Sequence, residues 1–187
     1  MMSIYRYVEF LHIAAVVLWL GGGSLCIFSA AKANRANNAA DFARVLSDTL
    51  FFATRLFVPA SLVAFATGLT MAYLGTLFSE LWIWIGMAGF ATTFLTGAVV
   101  IKQRSEKLLA AIKSGGSSFD VSDPGRELLR IVKFDYVMLF TVAANMVLKP
   151  EPADSAVLVV MAVVVFGAGV LFLGPLFRSA SPRAVGG

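Results

Sequence analysis

The chain has 187 residues, of which 59% are hydrophobic and only 14% are charged, and its mean hydropathy is +0.84. This composition is far more apolar than that of a soluble domain of the same length, so it indicates an integral membrane protein. The formal net charge of +4 is accounted for by the topology described below, and a nucleic-acid-binding role is not needed to explain it.

Five apolar stretches are long enough to cross a hydrocarbon core of ~30 Å, which takes about 20 helical residues. Helices are favoured over a β-barrel because these stretches are continuously apolar, whereas barrel strands alternate over about ten residues. The sequence therefore predicts an all-α integral membrane protein, a single polytopic domain over residues 1–187 with a four-helix core and an appended fifth helix. The predicted spans are approximately 5–31, 54–77, 81–103, 128–148 and 155–177.

The distribution of basic residues predicts the orientation of these spans. If the N-terminus lies outside, all of the 15 Lys and Arg residues except Arg6 and Lys149 fall on the cytoplasmic side. We therefore expect a multi-pass protein of the bacterial inner (plasma) membrane with its N-terminus outside. The lipid bilayer is the expected partner. A membrane-protein partner or a homo-oligomer is compatible with this arrangement, whereas a nucleic-acid partner is not expected.

Reporter fusions test the predicted orientation. A fusion after Gly187 should report the cytoplasm, and a fusion near Pro152, between the fourth and fifth spans, should report the periplasm. The reason is that cytoplasmic loops retain Lys and Arg during insertion. A periplasmic signal from the Gly187 fusion would contradict the five-span topology.

The first span carries the only histidine of the chain, His12. A polar, metal-competent side chain is costly to place within a membrane, so it is a candidate functional residue by default. Glu9 lies one turn before it and could orient the imidazole by accepting a hydrogen bond. The structural alternative is that Glu9 lies among the lipid headgroups and His12 only hydrogen-bonds to a neighbouring helix.

Three glycines, Gly21, Gly22 and Gly23, remove the side chains from nearly one turn in the middle of the first span. Small residues allow helix backbones to approach closely in a membrane, and they also clear room beside a flat ligand. The sequence favours close packing and keeps ligand access as the alternative.

Two methionines are predicted at a depth similar to that of His12. At about 1.5 Å per residue, His12 lies roughly 10 Å below the outer end of the first span, and Met71 and Met87 lie roughly 6 to 9 Å below the outer ends of the next two. His and Met form a known axial ligand set for haem, and the same donors bind Cu(I). Methionines within a helical bundle more often fill gaps in the packing.

Two opposite charges, Arg55 and Asp135, enter the second and fourth spans at a similar depth on the cytoplasmic side. A charge that faces the interior of a bundle needs a partner. The two residues are therefore predicted to form an inter-helix ion pair with a structural, anchoring role. A proton path is the alternative interpretation.

Short motifs in the chain resemble those of known membrane proteins. Leu11-His12, followed by Trp19-Leu20-Gly21-Gly22, resembles the first-helix pattern of the CopD and HemJ group of small bacterial membrane proteins. Pro59-Ala60 and Gly68-Leu69-Thr70-Met71 resemble the next segment of that group. The sequence Asn-Met-Val-Leu-Lys-Pro at 145–150 resembles the signature of an uncharacterised bacterial family of predicted integral membrane proteins near it.

That uncharacterised family is the best match, and the resemblance covers roughly residues 4–150. In the HemJ branch the first-helix histidine is implicated in binding haem b, so the resemblance implies this role for His12. The branch also uses a lysine near the start of the third helix, which the stretch Trp82–Phe90 lacks, and this argues against protoporphyrinogen oxidation. CopD-type copper uptake is not favoured either, because the chain has no further histidine and no Met-rich outer loop.

Three functional hypotheses follow from these residues. The first is a b-haem-binding or redox-associated membrane protein with His12 as an axial ligand to haem iron, or as a copper ligand. The second is a non-catalytic structural or assembly subunit of a membrane complex, in which His12 is a packing residue. The third is a transporter of a metal or a small solute. No set of catalytic residues stands out, and the sequence does not decide whether the protein is an enzyme.

Overall fold

The computed structural model describes residues 2–116 and 119–179, and its regular structure there is entirely helical. Three π-helical segments, Ala53–Phe57, Thr96–Ile101 and Gly169–Leu173, join successive α-helices into continuous rods, and a short 3-10 turn, Leu77–Ser79, stands between two rods. The α-helices are α1 (Met2–Arg35), α2 (Ala39–Phe52), α3 (Val58–Leu74), α4 (Leu81–Leu95), α5 (Lys102–Gly115), α6 (Ser122–Leu148), α7 (Ser155–Ala168) and α8 (Gly174–Ser179).

Within the described ranges, five helices are long and apolar enough to cross a membrane, which confirms the predicted fold class. They are Ile4–Arg35, Ala39–Leu74, Leu81–Gly115, Ser122–Leu148 and Ser155–Leu176. Apolar helices of this length contact the lipid bilayer. We use "outer" and "inner" for the two ends of the bundle according to the predicted orientation. Gly187, on which the fusion test depends, lies outside the described residues.

A tight turn at the inner end reverses the chain between α1 and α2. Asn37 adopts a left-handed conformation with φ +46°, and the side chain of Asn38 then accepts a hydrogen bond from the backbone N–H of Asp41 at 3.0 Å. An asparagine cap of this kind satisfies a free N–H group at the start of a helix. The buried face of α2 belongs to the inner cluster, an apolar core formed by Ala33, Ala39, Phe42, Leu46, Leu108, Ile112, Val121 and Leu128.

The packing of α1 against α3 depends on small residues. Ala60, Ala64 and Gly68 recur at every fourth position of α3, where Ala60 and Ala64 are buried and Gly68 is partly buried. Residues four apart lie on the same face of a helix. Such a stripe allows two helix backbones to approach closely. Within a membrane the hydrophobic effect does not drive helices together, so close van der Waals contacts stabilise the pair instead.

The outer end of the bundle is fixed by contacts between α4 and α6. Asn145 is 0% exposed, and its Nδ2 donates a hydrogen bond of 2.6 Å to the backbone carbonyl of Trp82. The Lys149 ammonium lies 5.5 Å from the centroid of the Trp82 ring. Lys149 itself ends α6 with φ +46°, directly before the buried Pro150. The motif at 145–150 therefore has a structural role, since it docks α6 on the start of α4.

The last rod, α7 with α8, packs against α6. Its large side chains are mostly exposed, including those of Val159, Val163, Phe166 and Val170. This agrees with the prediction of an appended, lipid-facing fifth helix beside a core of four.

Candidate functional site

The imidazole of His12 is hydrogen-bonded to α3. Its Nδ1 lies 2.8 Å from the backbone carbonyl oxygen of Ala64 and 3.2 Å from Oγ1 of Thr67. A carbonyl can only accept a hydrogen bond, so Nδ1 carries the proton and donates it. The hydroxyl of Thr67 donates to the carbonyl of Val63 at 2.6 Å, which leaves its oxygen free to accept as well. In its neutral form such a ring is the Nδ1–H tautomer, with the lone pair on Nε2.

Gly68 explains how the ring can lie so close to α3. A Cβ at this position would come within 3.2 Å of Cε1 of His12 and 3.5 Å of its Nδ1. That is tighter than an ordinary van der Waals contact, so a side chain here would press the imidazole away from the Ala64 carbonyl. The segments around His12 and around Gly68 therefore meet at one place in the structure.

The orienting role predicted for Glu9 is corrected by this geometry. The acceptors at Nδ1 of His12 are the Ala64 carbonyl and the Thr67 hydroxyl, both on α3. Glu9 lies one turn away on the same helix as His12, whereas both of these acceptors belong to the neighbouring helix. Sequence reasoning missed Ala64 because a backbone acceptor leaves no signal in the residue type.

The two methionines have different environments. Met71 lies on the same face of α3 as Ala64, Thr67 and Gly68, one turn towards the outer end, so it remains next to the His12 layer. Met87 packs against the buried cluster of Ala72, Trp82 and Ile83. Its environment is that of a gap-filling core residue. Of the two, Met71 is the candidate second ligand that its environment favours.

The three glycines, Gly21 to Gly23, have different surroundings: two face a neighbouring side chain and one faces open space. A Cβ at Gly22 would lie 2.7 Å from Cε1 of Phe57, and a Cβ at Gly23 would overlap the hydroxyl of Tyr136. At Gly21, by contrast, an added Cβ meets nothing within 4 Å. Two of the three glycines are therefore required for close helix packing, as the sequence favoured.

The ion pair predicted between Arg55 and Asp135 is wrong. The described residues form two salt bridges, Lys102–Glu106 and Arg126–Asp123, and neither includes Arg55 or Asp135. Arg55 is exposed, with its guanidinium carbon 5.7 Å from the centroid of the Phe51 ring, whereas Asp135 is partly buried and lines an internal cavity. Similar depth along two helices is not sufficient for pairing, because the side chains must also face each other.

The cavity beside Asp135 has a volume of about 170 Å³ and lies in the inner half of the bundle. It is bounded by α1, by both rods that contain α2 to α5, and by α6. Apolar and aromatic side chains make up most of its wall. Its polar lining residues include Thr49, Ser61, Thr93, Asp135 and Tyr136.

An aromatic layer lies between His12 and this cavity. The layer consists of Trp19, Phe65, Phe90 and Phe94. The ring centroid of Phe90 is 5.8 Å from that of Trp19, 4.6 Å from that of Phe65 and 5.7 Å from that of Phe94. Trp19 also lines the cavity and lies two turns inward of His12 on the same face of α1. His12 and Asp135 thus lie at two different places in the bundle, His12 towards its outer end and Asp135 towards its inner end.

No group of three or more His, Cys, Asp or Glu side chains that could hold a metal ion occurs within residues 2–116 and 119–179. A ligand set at His12 would therefore have to combine the imidazole with a different donor, such as a thioether.

Comparison with known proteins identifies one family. A family model described as "Predicted integral membrane protein (DUF2269)" matches residues 6–150. No curated protein and no solved structure matches the chain.

Proposed function

The chain belongs to the DUF2269 family of predicted integral membrane proteins, and we propose that it is a multi-pass inner-membrane protein in which His12 holds haem b. The observation that supports this proposal is the hydrogen bond of 2.8 Å from Nδ1 of His12 to the Ala64 carbonyl. Histidines that bind metals commonly donate their other ring N–H to a carbonyl or carboxylate in this way.

The hydrogen bond prepares His12 as a ligand in two respects. It places the proton on Nδ1, so that the lone pair needed for an iron ligand is on Nε2. It also fixes the orientation of the ring, because the acceptor belongs to the backbone of α3, and Gly68 has no side chain that would press the ring away from it. A backbone acceptor raises the basicity of the ligating nitrogen as well.

The donors present would supply one imidazole and one weaker thioether to a haem iron. His12 would supply the imidazole, and Met71, one turn outward on the same face of α3, is the candidate thioether. A bound haem b would supply one-electron transfer at its iron, and a methionine ligand would raise the reduction potential. His12 is only partly buried, so the ring is not sealed inside the bundle.

A structural or assembly subunit is the second candidate. The His12 hydrogen bond itself joins α1 to α3, which is a sufficient reason for a polar residue within a membrane. Moreover, α1 exposes large apolar side chains along much of its length, including Tyr7, Phe10, Val17 and Phe28. This surface is compatible with a neighbouring membrane helix as well as with lipid.

Two substitutions at His12 separate the ligand role from the structural role. His12→Asn retains an N–H donor near the position of Nδ1 but has no counterpart of Nε2, whereas His12→Ala removes both. If haem binds, the wild-type protein purified after expression with ample haem should show a Soret absorption band, and both variants should lose it. Only His12→Ala should also lower the stability in detergent, by about 0.6 kcal/mol, which is typical of a hydrogen bond between membrane helices.

Thr67→Val is the matched control, since it removes the weaker contact at Nδ1 and leaves both the Ala64 acceptor and Nε2 in place. It should retain the Soret band. A colourless wild-type protein, or a band that persists in His12→Asn, would contradict the haem proposal. If the wild-type protein is colourless and His12→Ala, but not His12→Asn, loses stability, the result would support the structural-subunit hypothesis instead.

A further inference from the structure

The inner cavity has the size of a small organic molecule. Its volume of about 170 Å³ is similar to the ~150 Å³ of an engineered apolar cavity that binds benzene. A single aromatic ring with a short substituent would fill it. Small-molecule sites are typically apolar with a few well-placed polar groups, and this cavity has that character.

Five hydroxyl groups line the cavity in the described residues, and four of them already donate their proton to a backbone carbonyl; the fifth, that of Ser105, keeps its proton. The hydroxyl of Ser61 donates to the Val58 carbonyl at 2.8 Å, and that of Thr93 donates to the Phe90 carbonyl at 3.1 Å. In the same way Thr49 donates to Val45 at 2.8 Å and Tyr136 donates to Leu20 at 2.8 Å. These oxygens keep lone pairs for a ligand, so the wall favours a molecule that donates hydrogen bonds over an anion.

Asp135 adds a carboxylate to this set of acceptors. It forms no salt bridge with any residue in the described part of the chain. A carboxyl group inside a membrane bundle is costly unless it is compensated, and such residues commonly mark ligand or ion pathways. One carboxylate suits a monovalent cation better than a divalent metal, which takes several oxygen ligands.

Aromatic rings provide a second attraction for a cation. Trp19, Phe57 and Phe94 line the cavity together with Tyr136. The face of an aromatic ring attracts a cation within about 6 Å of its centroid, most strongly when the site is desolvated. The apolar part of an organic cation would also contact these rings, which a bare metal ion would not.

Two of the three π-helical segments border the same cavity. Ala53 and Phe57 line it from the segment Ala53–Phe57, and Gly97, Ala98 and Ile101 line it from Thr96–Ile101. π-Helical turns are rare and frequently occur at functional sites. At Gly97 an added Cβ would meet nothing within 4 Å, so this wall is open towards the cavity. The backbone irregularity is an observation independent of the carboxylate.

We propose that the inner cavity binds a small protonated amine, with Asp135 as its counter-ion and the rings of Trp19, Phe57 and Phe94 around its apolar part. This site is separate from His12, and neither proposal depends on the other.

Binding of benzylammonium to the full-length protein in detergent, measured by isothermal titration calorimetry, tests the proposal. Benzyl alcohol is the matched uncharged probe of nearly the same size. Benzylammonium should bind with a Kd of about 1 mM or below, and benzyl alcohol should bind about tenfold more weakly, because it lacks the charge-assisted hydrogen bond. Equal affinity for the two probes, or no saturable binding of benzylammonium, would overturn the proposal.

Three variants locate the site. Asp135→Asn keeps the shape of the side chain and should weaken benzylammonium binding about tenfold or more, with little change for benzyl alcohol. Gly97→Val should abolish binding of both probes, because Gly97 lines the cavity and an added Cβ there meets no neighbour within 4 Å, so the new side chain takes up ligand space. Gly21→Ala, at a position outside the cavity wall where a Cβ also has free space, should bind as the wild type does. Unchanged binding in Asp135→Asn would overturn the role of the carboxylate.

The labelling rate of the single cysteine of the chain tests the proposal in the wild-type protein, without any substitution. Cys26 lines the cavity, so a neutral thiol reagent such as methyl methanethiosulfonate reports access to it. Benzylammonium should slow the labelling of Cys26 in the wild-type protein, and benzyl alcohol at the same concentration should slow it much less. Labelling that neither probe slows would place the binding outside the cavity and would contradict the proposal.

Discussion

Gly23→Ala should lower the free energy of unfolding by roughly 1 to 3 kcal/mol, and Gly21→Ala, two residues away, should leave it unchanged or raise it slightly. At Gly23 the added Cβ overlaps the Tyr136 hydroxyl, which donates a hydrogen bond of 2.8 Å to the Leu20 carbonyl. The overlap has to be relieved either by separating α1 from α6 or by breaking that bond. Reversible unfolding in mixed micelles, monitored by circular dichroism, measures both variants.

The choice of Gly21→Ala as control removes the effect of helix propensity from the comparison. Alanine is favoured over glycine in a helix interior by about 1 kcal/mol, and this gain applies to both positions. Only Gly23 has a neighbour within reach, since Gly21 has open space around the added Cβ. Equal stabilities of the two variants would mean that α1 and α6 are not in close contact at this point.

Tyr136→Phe provides a further check, because it removes the hydroxyl that an alanine at position 23 would displace. The double variant Gly23→Ala/Tyr136→Phe should be more stable than the sum of the two single effects predicts. A non-additive result of this kind is expected for residues in direct contact. Strictly additive effects would argue against the contact.

Gly89→Ala is the second substitution for which a large loss of stability is expected, also roughly 1 to 3 kcal/mol. A Cβ at Gly89 on α4 would overlap Cγ2 of Val142 on α6. Valine is branched at Cβ and has one strongly preferred rotamer in a helix, so it cannot turn away. The two helices would have to move apart, and the neighbouring hydrogen bond from Asn145 to Trp82 would weaken with them.

Gly86→Ala is the matched control on the same face of α4. Here the added Cβ meets Cε of Met146, which is the far end of a flexible side chain. Methionine can adopt another rotamer at little cost, so this variant should lose less than about 1 kcal/mol. The same unfolding measurement applies to both. A larger loss for Gly86→Ala than for Gly89→Ala would contradict the packing between α4 and α6 described above.

The hydropathy pattern predicted the class of protein and the number of spans, and the structure confirmed both within the described residues. The resemblance to an uncharacterised family of predicted integral membrane proteins, carried by the motif at 145–150, was also confirmed by the match over residues 6–150. Spans and motifs of this kind are local: each can be recognised from about 20 consecutive residues or fewer. The same local information singled out His12 as the unusual residue of the first span.

The partners of these residues, in contrast, were decided only by the tertiary structure. His12 bonds to a carbonyl 52 positions away, and Tyr136 bonds to one 116 positions away. Arg55 and Asp135, similar in depth, do not pair, and Asp135 faces a cavity instead. Which side chains meet depends on how far each helix is rotated about its own axis and shifted along it. Those two quantities are set by the packing of small residues and side-chain volumes between helices, which hydropathy and depth along a single helix do not contain.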